Sequence, residues 1–409
     1  MGHRFDIYRH TTAVINLDYL ENNLRVLKSI VGTEAFFCPM VKANAYGHGD
    51  VEIALKLQSL GVESLGVGLI EEGLLLRQMG VTCNLLVFGI FDSKAIEQIV
   101  KWKLTPVISL WQQIEALERS PLLKDRERMP IHLKFDTGMH RLGFNVSDAQ
   151  KLFDRLSKHP QLRVEGICTH LFKGDDAEDL HGQSFSQLAQ FQEVEKVFAR
   201  LDVISHSLNS AGTLNFHLLR TAQRALPHSI SNSQGVRPGL LLYGLDPMNS
   251  SALSQSLKPV MSLRSHIVRY HRLRMGETVS YSATWKASRN SVVGVIPIGY
   301  ADGYHRLLSN KAEVLVKGRR VPQIGNVCMD YIMVDVTGLM TEEEINNNIE
   351  VEVTLFGEDS MGNCLSANEL AVKAQTIPWE ILTSVGERVP RVFTEYNGSL
   401  MKRRDEARF

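Results

Sequence analysis

The sequence has no excess charge of either sign: 45 Lys and Arg stand against 45 Asp and Glu. No net field would draw the chain to nucleic acid or to an anionic membrane. Long apolar runs are missing too. None approaches the ~20 residues that a bilayer requires, and the opening MGHRFDIYRHTTAVINL carries charges where a secretion signal would be apolar. Cysteine is sparse: Cys38, Cys83, Cys168, Cys328 and Cys364 are odd in number, scattered, and form no C-x-x-C pair. They read as free thiols of a reducing compartment. What remains is a cytoplasmic, enzyme-sized globular protein whose partners are small molecules or protein.

What the chain does contain is alternation. From Asp18, DYLENNLRVLKSI sets Leu20, Leu24, Leu27 and Val31 at helical spacing behind a cap-like Asp18 with Glu21. Apolar strand-like runs then alternate with helical ones, and Ala35–Val41, Leu65–Leu69, Asn84–Phe88, Leu104–Ile108, Ile131–Phe135, Val164–His170, Val203–Leu208 and Val236–Tyr243 predict eight strands. Eight such units argue for closure into a parallel ring rather than an open sheet. The expected fold class is α/β, with an N-terminal (β/α)8 TIM-like barrel over residues 11–250. Beyond Leu257 short strand candidates are punctuated by Gly and Asn, and helical periodicity returns only over Ala367–Gln375. Residues 251–395 are therefore expected to form a mostly β domain, joined by segment 1–10, with 396–409 as a polar tail.

The stretch AFFCPMVKANAYGHG places Lys42 at the end of the first predicted strand. A desolvated amine there loses part of its preference for charge and becomes a better nucleophile toward a carbonyl. Taken alone, a lysine whose stem packs on the core while its ammonium reaches solvent explains the stretch more simply. Position argues otherwise, because the working residues of such barrels gather at the carboxyl ends of the strands. Tyr46 follows the first strand; the fifth ends in Lys134, Asp136, Met139 and Arg141; His170 ends the sixth; Asn209 and Ser210 end the seventh; Arg237, Gly239 and Tyr243 lie in the eighth. Each has a plainer explanation by itself: Asp136 as a turn cap, His170 as a core histidine, Arg237 as half of an ion pair. Their convergence on one face favours a site.

Nine collinear stretches, VKANAYGHG, HLKFDTGMHRLGF, EGICTHL, LNSAGT, VRPGLLLYG, GETVSYSATW, IPIGYADGY, GNVCMDYIMVDVT and RVPRVF, resemble the alanine racemase family from Ala13 to about Phe393. The resemblance implies pyridoxal 5'-phosphate as cofactor, no metal, and a homodimer that interconverts L- and D-alanine for peptidoglycan. It makes Lys42 the lysine that holds the cofactor and moves the α-proton on one face. Tyr281 becomes the base on the other face, reaching the site from the second subunit together with Met329 and Asp330. Tyr46, Ser210 with Asn209, and the backbone around Gly239 and Leu240 match the phosphate site. Arg237 matches the arginine at the pyridine nitrogen, and His170 the histidine linking it to the tyrosine. Arg141 matches the arginine near the substrate carboxylate, and Lys134 a lysine often carboxylated by carbon dioxide.

The chemistry agrees with these roles. An α-proton is barely acidic, so the amino acid must first be joined to an electron sink. Arg237 is essentially never deprotonated, which leaves the ring a weaker sink and favours racemisation over transamination. Tyr281 needs cationic or hydrogen-bonding neighbours to act as a base near neutral pH, and His170 and Arg237 are candidates. The chain departs from the family's common pattern at Cys168, Tyr331 and Glu387. Two further readings stay open: a racemase of broader preference, acting on serine or larger amino acids, and a non-catalytic carrier of the cofactor. The β domain bearing VSYSATW and CMD argues against a carrier, which needs no second base.

Overall fold

Short, wholly apolar segments such as Leu85–Val87 can bury both faces, which is what a parallel sheet jacketed by helices demands. The computed structural model describes residues 8–32, 35–123, 128–174, 182–221, 235–248, 255–395 and 399–401. Contacts divide the chain into two units: Asn23–Leu242 with Asp246–Ser256, and Met1–Asn22 with Tyr243–Leu245 and Leu257–Phe409.

In the first unit seven parallel strands run side by side in chain order: Ser64–Val67, Asn84–Val87, Thr105–Ile108, Met129–Asp136, Leu162–Cys168, Ile204–Leu208 and Gly235–Val236. The segment around Pro39 closes the ring. Phe37 pairs with Val236 on one side and Met40 with Gly66 on the other, and Cys38 and Met40 donate to Val236 and Pro238 carbonyls while Val41 donates to Gly66. The expected eighth member is therefore present, but as isolated bridges. Pro39 has no N–H and interrupts the ladder. At the other end of the sequence the predicted strand Val236–Tyr243 stops after Val236, because Pro238 removes a donor and the chain then turns. Cys38, Leu86, Val107 and Cys168 fill the ring with Phe36 and Phe88.

The helix Leu17–Val31 is capped two residues earlier than expected, since Asn16 Oδ1 accepts from the N–H groups of Asp18 and Tyr19, both at 3.0 Å. Behind Lys42 the backbone does something no periodicity announces. Ala43, Asn44, Ala45 and Tyr46 all have positive φ, between 51° and 55°, so the chain makes a left-handed turn there. Such a turn costs roughly 1–2 kcal/mol per non-glycine residue. Ala43 is exposed, so substitution there isolates the backbone cost. Ala43→Gly is expected to stabilise the chain by about 1 kcal/mol and Ala43→Val to destabilise it by a similar amount or more, read from urea unfolding midpoints.

The second unit is built on an eleven-stranded sheet. Its strand Thr12–Asn16 pairs antiparallel with Met261–Ile267 and parallel with Arg391–Glu395. Residues 11–22 therefore group with the β unit, where the sequence had put them in the barrel. A five-residue strand with only half its side chains buried carries too short a pattern to be read from sequence. Residues 1–7, most of the expected junction near 250 and most of the expected tail lie outside the described residues. A small hairpin, Thr278–Val279 against Trp285–Lys286, stands apart from the large sheet and carries Tyr281.

Candidate active site

The barrel gathers Lys42, Lys134, Arg141, His170 and Arg237 within electrostatic reach of one another. Strand geometry explains the grouping. In Met129–Asp136 side chains alternate, so His132 and Lys134 point the same way, both buried. Lys42 packs along Gly68, where an added Cβ would meet its Cβ at 3.5 Å. Surrounding protein lowers the pKa of its amine, and Arg141 lowers it further against an opposing pull from Glu72. Lys134 is shifted down in the same sense, again by burial first. Both amines therefore hold more of the neutral, nucleophilic form than a free lysine does. Asp136 keeps the plainer role, accepting from the N–H groups of Gly138 at 2.9 Å and His140 at 3.0 Å.

Arg237 is 5% exposed, yet every hydrogen-bond partner recorded for it is neutral. Its guanidinium donates to the carbonyls of Thr169, His206 and Ser207 and meets His206 Nδ1 at 2.7 Å and His170 Nδ1 at 3.5 Å. Donor logic then fixes a chain. A guanidinium only donates, so His206 Nδ1 accepts and its proton sits on Nε2. That proton goes to His132 Nδ1 at 2.8 Å, which leaves the His132 proton on Nε2, buried and without a partner. His132 and His206 were not singled out in the sequence. The two-residue alternation of HLKFD was the available signal, but nothing in it says that a histidine two strands away completes the pair. Gly166 makes room, since a Cβ there would lie 2.2 Å from His132 Nδ1.

All three imidazoles stay neutral. Burial followed by the charge of Arg237 holds His132 down to about 3 and His170 to about 2, and puts His206 well below 6.5. In the unfolded chain each takes up a proton near 6.5, so acid favours unfolding. Their contribution is complete above about pH 6.5 and is lost as pH falls toward 3, by up to about 1.4 kcal/mol per pH unit for each histidine. Urea unfolding of the His132→Asn variant between pH 6 and 4 is expected to show a slope shallower by one proton.

A small polar cradle lies beside these groups. Ser210 Oγ accepts from the Gly239 N–H at 2.9 Å and the Leu241 N–H at 3.4 Å, at the start of the helix Ser210–Thr221. Gly239 must lack a side chain, because a Cβ would come within 2.3 Å of the Tyr46 hydroxyl. Leu240 is fully buried next to it. Asn209 is engaged otherwise: its Oδ1 accepts from Gly212 N–H and its Nδ2 donates to Leu171, so it caps the helix. Helix N-terminus, glycine backbone and hydroxyls together suit an anion such as phosphate.

In the β unit Tyr281 is 71% exposed, on a turn where Ser280, Ser282 and Ala283 all have positive φ. Asn326 braces it, donating to the Tyr281 carbonyl at 2.8 Å and accepting at its own carbonyl from Ser280 Oγ at 2.7 Å. Met329 and Tyr331 are exposed on either side of Asp330, which Arg388 holds at 2.7 Å. Glu387 is exposed as well. Cys168, by contrast, is buried in the ring interior.

A barrel with a lysine-tipped mouth, followed by a β unit presenting a tyrosine, is an arrangement that suits a barrel-type amino-acid racemase. Residues 15–247 match the family described as alanine racemase, N-terminal domain, and residues 260–393 match the C-terminal domain. The chain is 38% identical over 395 residues to the alanine racemase of Sorangium cellulosum, covering 95% of this chain and all of that one. Among solved structures it resembles alanine racemase from Clostridium difficile 630 with a TM-score of 0.83 at 30% identity, covering 97% and 98% of the two chains. It also resembles that of Bartonella henselae with covalently bound pyridoxal phosphate, with a TM-score of 0.79 at 30% identity over 94% and 99%. The chain belongs to the alanine racemase family.

Proposed function

We propose that the chain interconverts L- and D-alanine with pyridoxal 5'-phosphate held at the barrel mouth, Lys42 and Tyr281 exchanging the α-proton on opposite faces. The observation that carries this is the cationic charge gathered at the mouth, which Glu72 and Asp136 offset only in part. Arg237 is buried against neutral acceptors only, and Lys42, Lys134 and Arg141 lie within reach of it or of one another. Such a pocket favours a ligand with negative groups and an acceptor nitrogen.

The residues fit the cofactor. Tyr46, Ser210 and the backbone at Gly239 and Leu240 would hold its phosphate, and Arg237, clamped by His206 and Thr169, would meet its ring nitrogen without giving up a proton. When bound, the cofactor supplies an electron sink that loosens the α-proton. Lys42 Nζ takes or returns that proton on one face, and the Tyr281 hydroxyl does so on the other. Arg141, Met329 and Asp330 orient the substrate. Lys134, deprotonated and modified by carbon dioxide, becomes an anion that steadies Arg141.

Tyr281, Met329 and Tyr331 are exposed large side chains of the β unit. A homodimer in which each β unit completes the partner's site gives their exposure a purpose. The free cysteines accord with a reducing cytoplasm, where D-alanine would be made for peptidoglycan. The test is proton NMR of L-alanine, L-serine and L-lysine in heavy water with the cofactor-loaded protein, with chiral analysis of each mixture. Loss of the α-proton signal with appearance of D-alanine is expected, faster than for the other two. Bound cofactor with neither exchange nor D-enantiomer would leave the chain a carrier.

A further inference from the structure

Two helices of the barrel start in the same way, and the difference between them is informative. Before the helix Trp111–Glu118, the Gln113 Oε1 turns back to accept from the N–H groups of Ser109 at 3.0 Å and Leu110 at 3.1 Å. Before the helix Ile70–Gln78, the Glu72 Oε2 does the same for Gly68 at 2.7 Å and Leu69 at 3.0 Å. One neutral oxygen is therefore enough to cap such a helix. Glu72 has a second oxygen, and that one accepts from the Ala43 N–H at 2.7 Å.

Ala43 follows Lys42 and is the first residue of the left-handed turn. We propose that Glu72 is a positioning residue for Lys42: its carboxylate, anchored to one helix start, pins the strained turn and sets a negative charge beside the lysine amine. The inference rests on the assignment of Lys42 as the working lysine. A left-handed turn of four non-glycine residues persists only where its surroundings over-determine it. A charge-assisted hydrogen bond to its first N–H is such a constraint. The Lys42 stem lies against Gly68, whose N–H the same carboxylate holds, so turn, lysine and helix start are tied at one point. Among the nearby charges Arg141 and Arg237 push the amine toward neutrality and Glu72 opposes them. The carboxylate thus limits how far the amine's proton affinity falls.

The experiment uses the full chain with Glu72→Gln, Glu72→Ala and, as a capping control, Gln113→Ala. Its first readout needs no activity: reductive methylation of Lys42 in cofactor-stripped protein across pH, followed by peptide mass spectrometry. The midpoint is expected to move down by roughly a unit in both Glu72 variants and to stay put in Gln113→Ala. In the cofactor-loaded protein kcat is expected to fall about 10- to 100-fold in Glu72→Ala, with Gln113→Ala near the parent. Unchanged midpoints in folded Glu72 variants overturn the proposal, as does an equal shift in Gln113→Ala. Because labelling reports on the amine alone, failure of the racemase reading would appear separately, as an unaltered chain that titrates at Lys42 without racemising alanine.

Discussion

Replacing Lys42 with alanine removes racemisation in both directions, by about 10⁴-fold, and leaves no cofactor covalently held. Two losses combine in that figure. The nucleophile is gone, and so is the base on one face of the substrate. The fold is expected to survive, since Lys42 lies at the open mouth and is exposed, while the ring closes through the bonds of Cys38, Met40 and Val41. Circular dichroism and the urea midpoint check that point alongside a chiral assay. Activity within tenfold of the parent in a correctly folded variant would remove Lys42 from the chemistry.

Tyr281→Phe is expected to lower racemisation by about 10²- to 10⁴-fold, with an asymmetry that a merely structural residue would not produce. Lys42 remains, so one enantiomer still exchanges its α-proton with heavy water while the other does not, and neither inverts. The residue's exposure makes a stronger test available. If Tyr281 serves the partner's barrel, chains carrying Lys42→Ala and chains carrying Tyr281→Phe are each inactive but complement one another. Half of the dimers formed by equal mixing are mixed, each with one intact site, so about a quarter of the parental activity returns. No recovery after subunit exchange, verified by mass, places Tyr281 in the same chain's site or in none.

Much of the molecule was readable from its residues, and the misses share a cause. Buried strands such as Asn84–Val87 and Ile204–Leu208 were found nearly to the residue, because a run covered on both faces leaves a dense apolar signature. Where hydrogen bonding rather than burial decides the element, the pattern misled. Pro39 breaks the ladder of the first strand, Pro238 ends the last, and Asn16 rather than Asp18 caps the first long helix. The site followed the same division. Lys42, Tyr46, Lys134, Arg141, His170, Ser210 and Arg237 were all suggested by lying in or next to a predicted strand. His132, His206 and Glu72 were not, since their partners are 74, 31 and 29 residues away in sequence.

By itself the sequence determined the layered α/β barrel, the β unit after it, the family and the lysine at the mouth. These depend on local apolar period and on motifs that a linear chain records. Tertiary structure alone decided that four residues after Lys42 wind left-handed, that Arg237 is held by neutral histidines in a set tautomer, and that a helix cap doubles as a clamp on the lysine's turn. Each of those depends on which donors meet which acceptors once distant strands are side by side. An unsatisfied buried donor or charge costs kilocalories that no local pattern encodes.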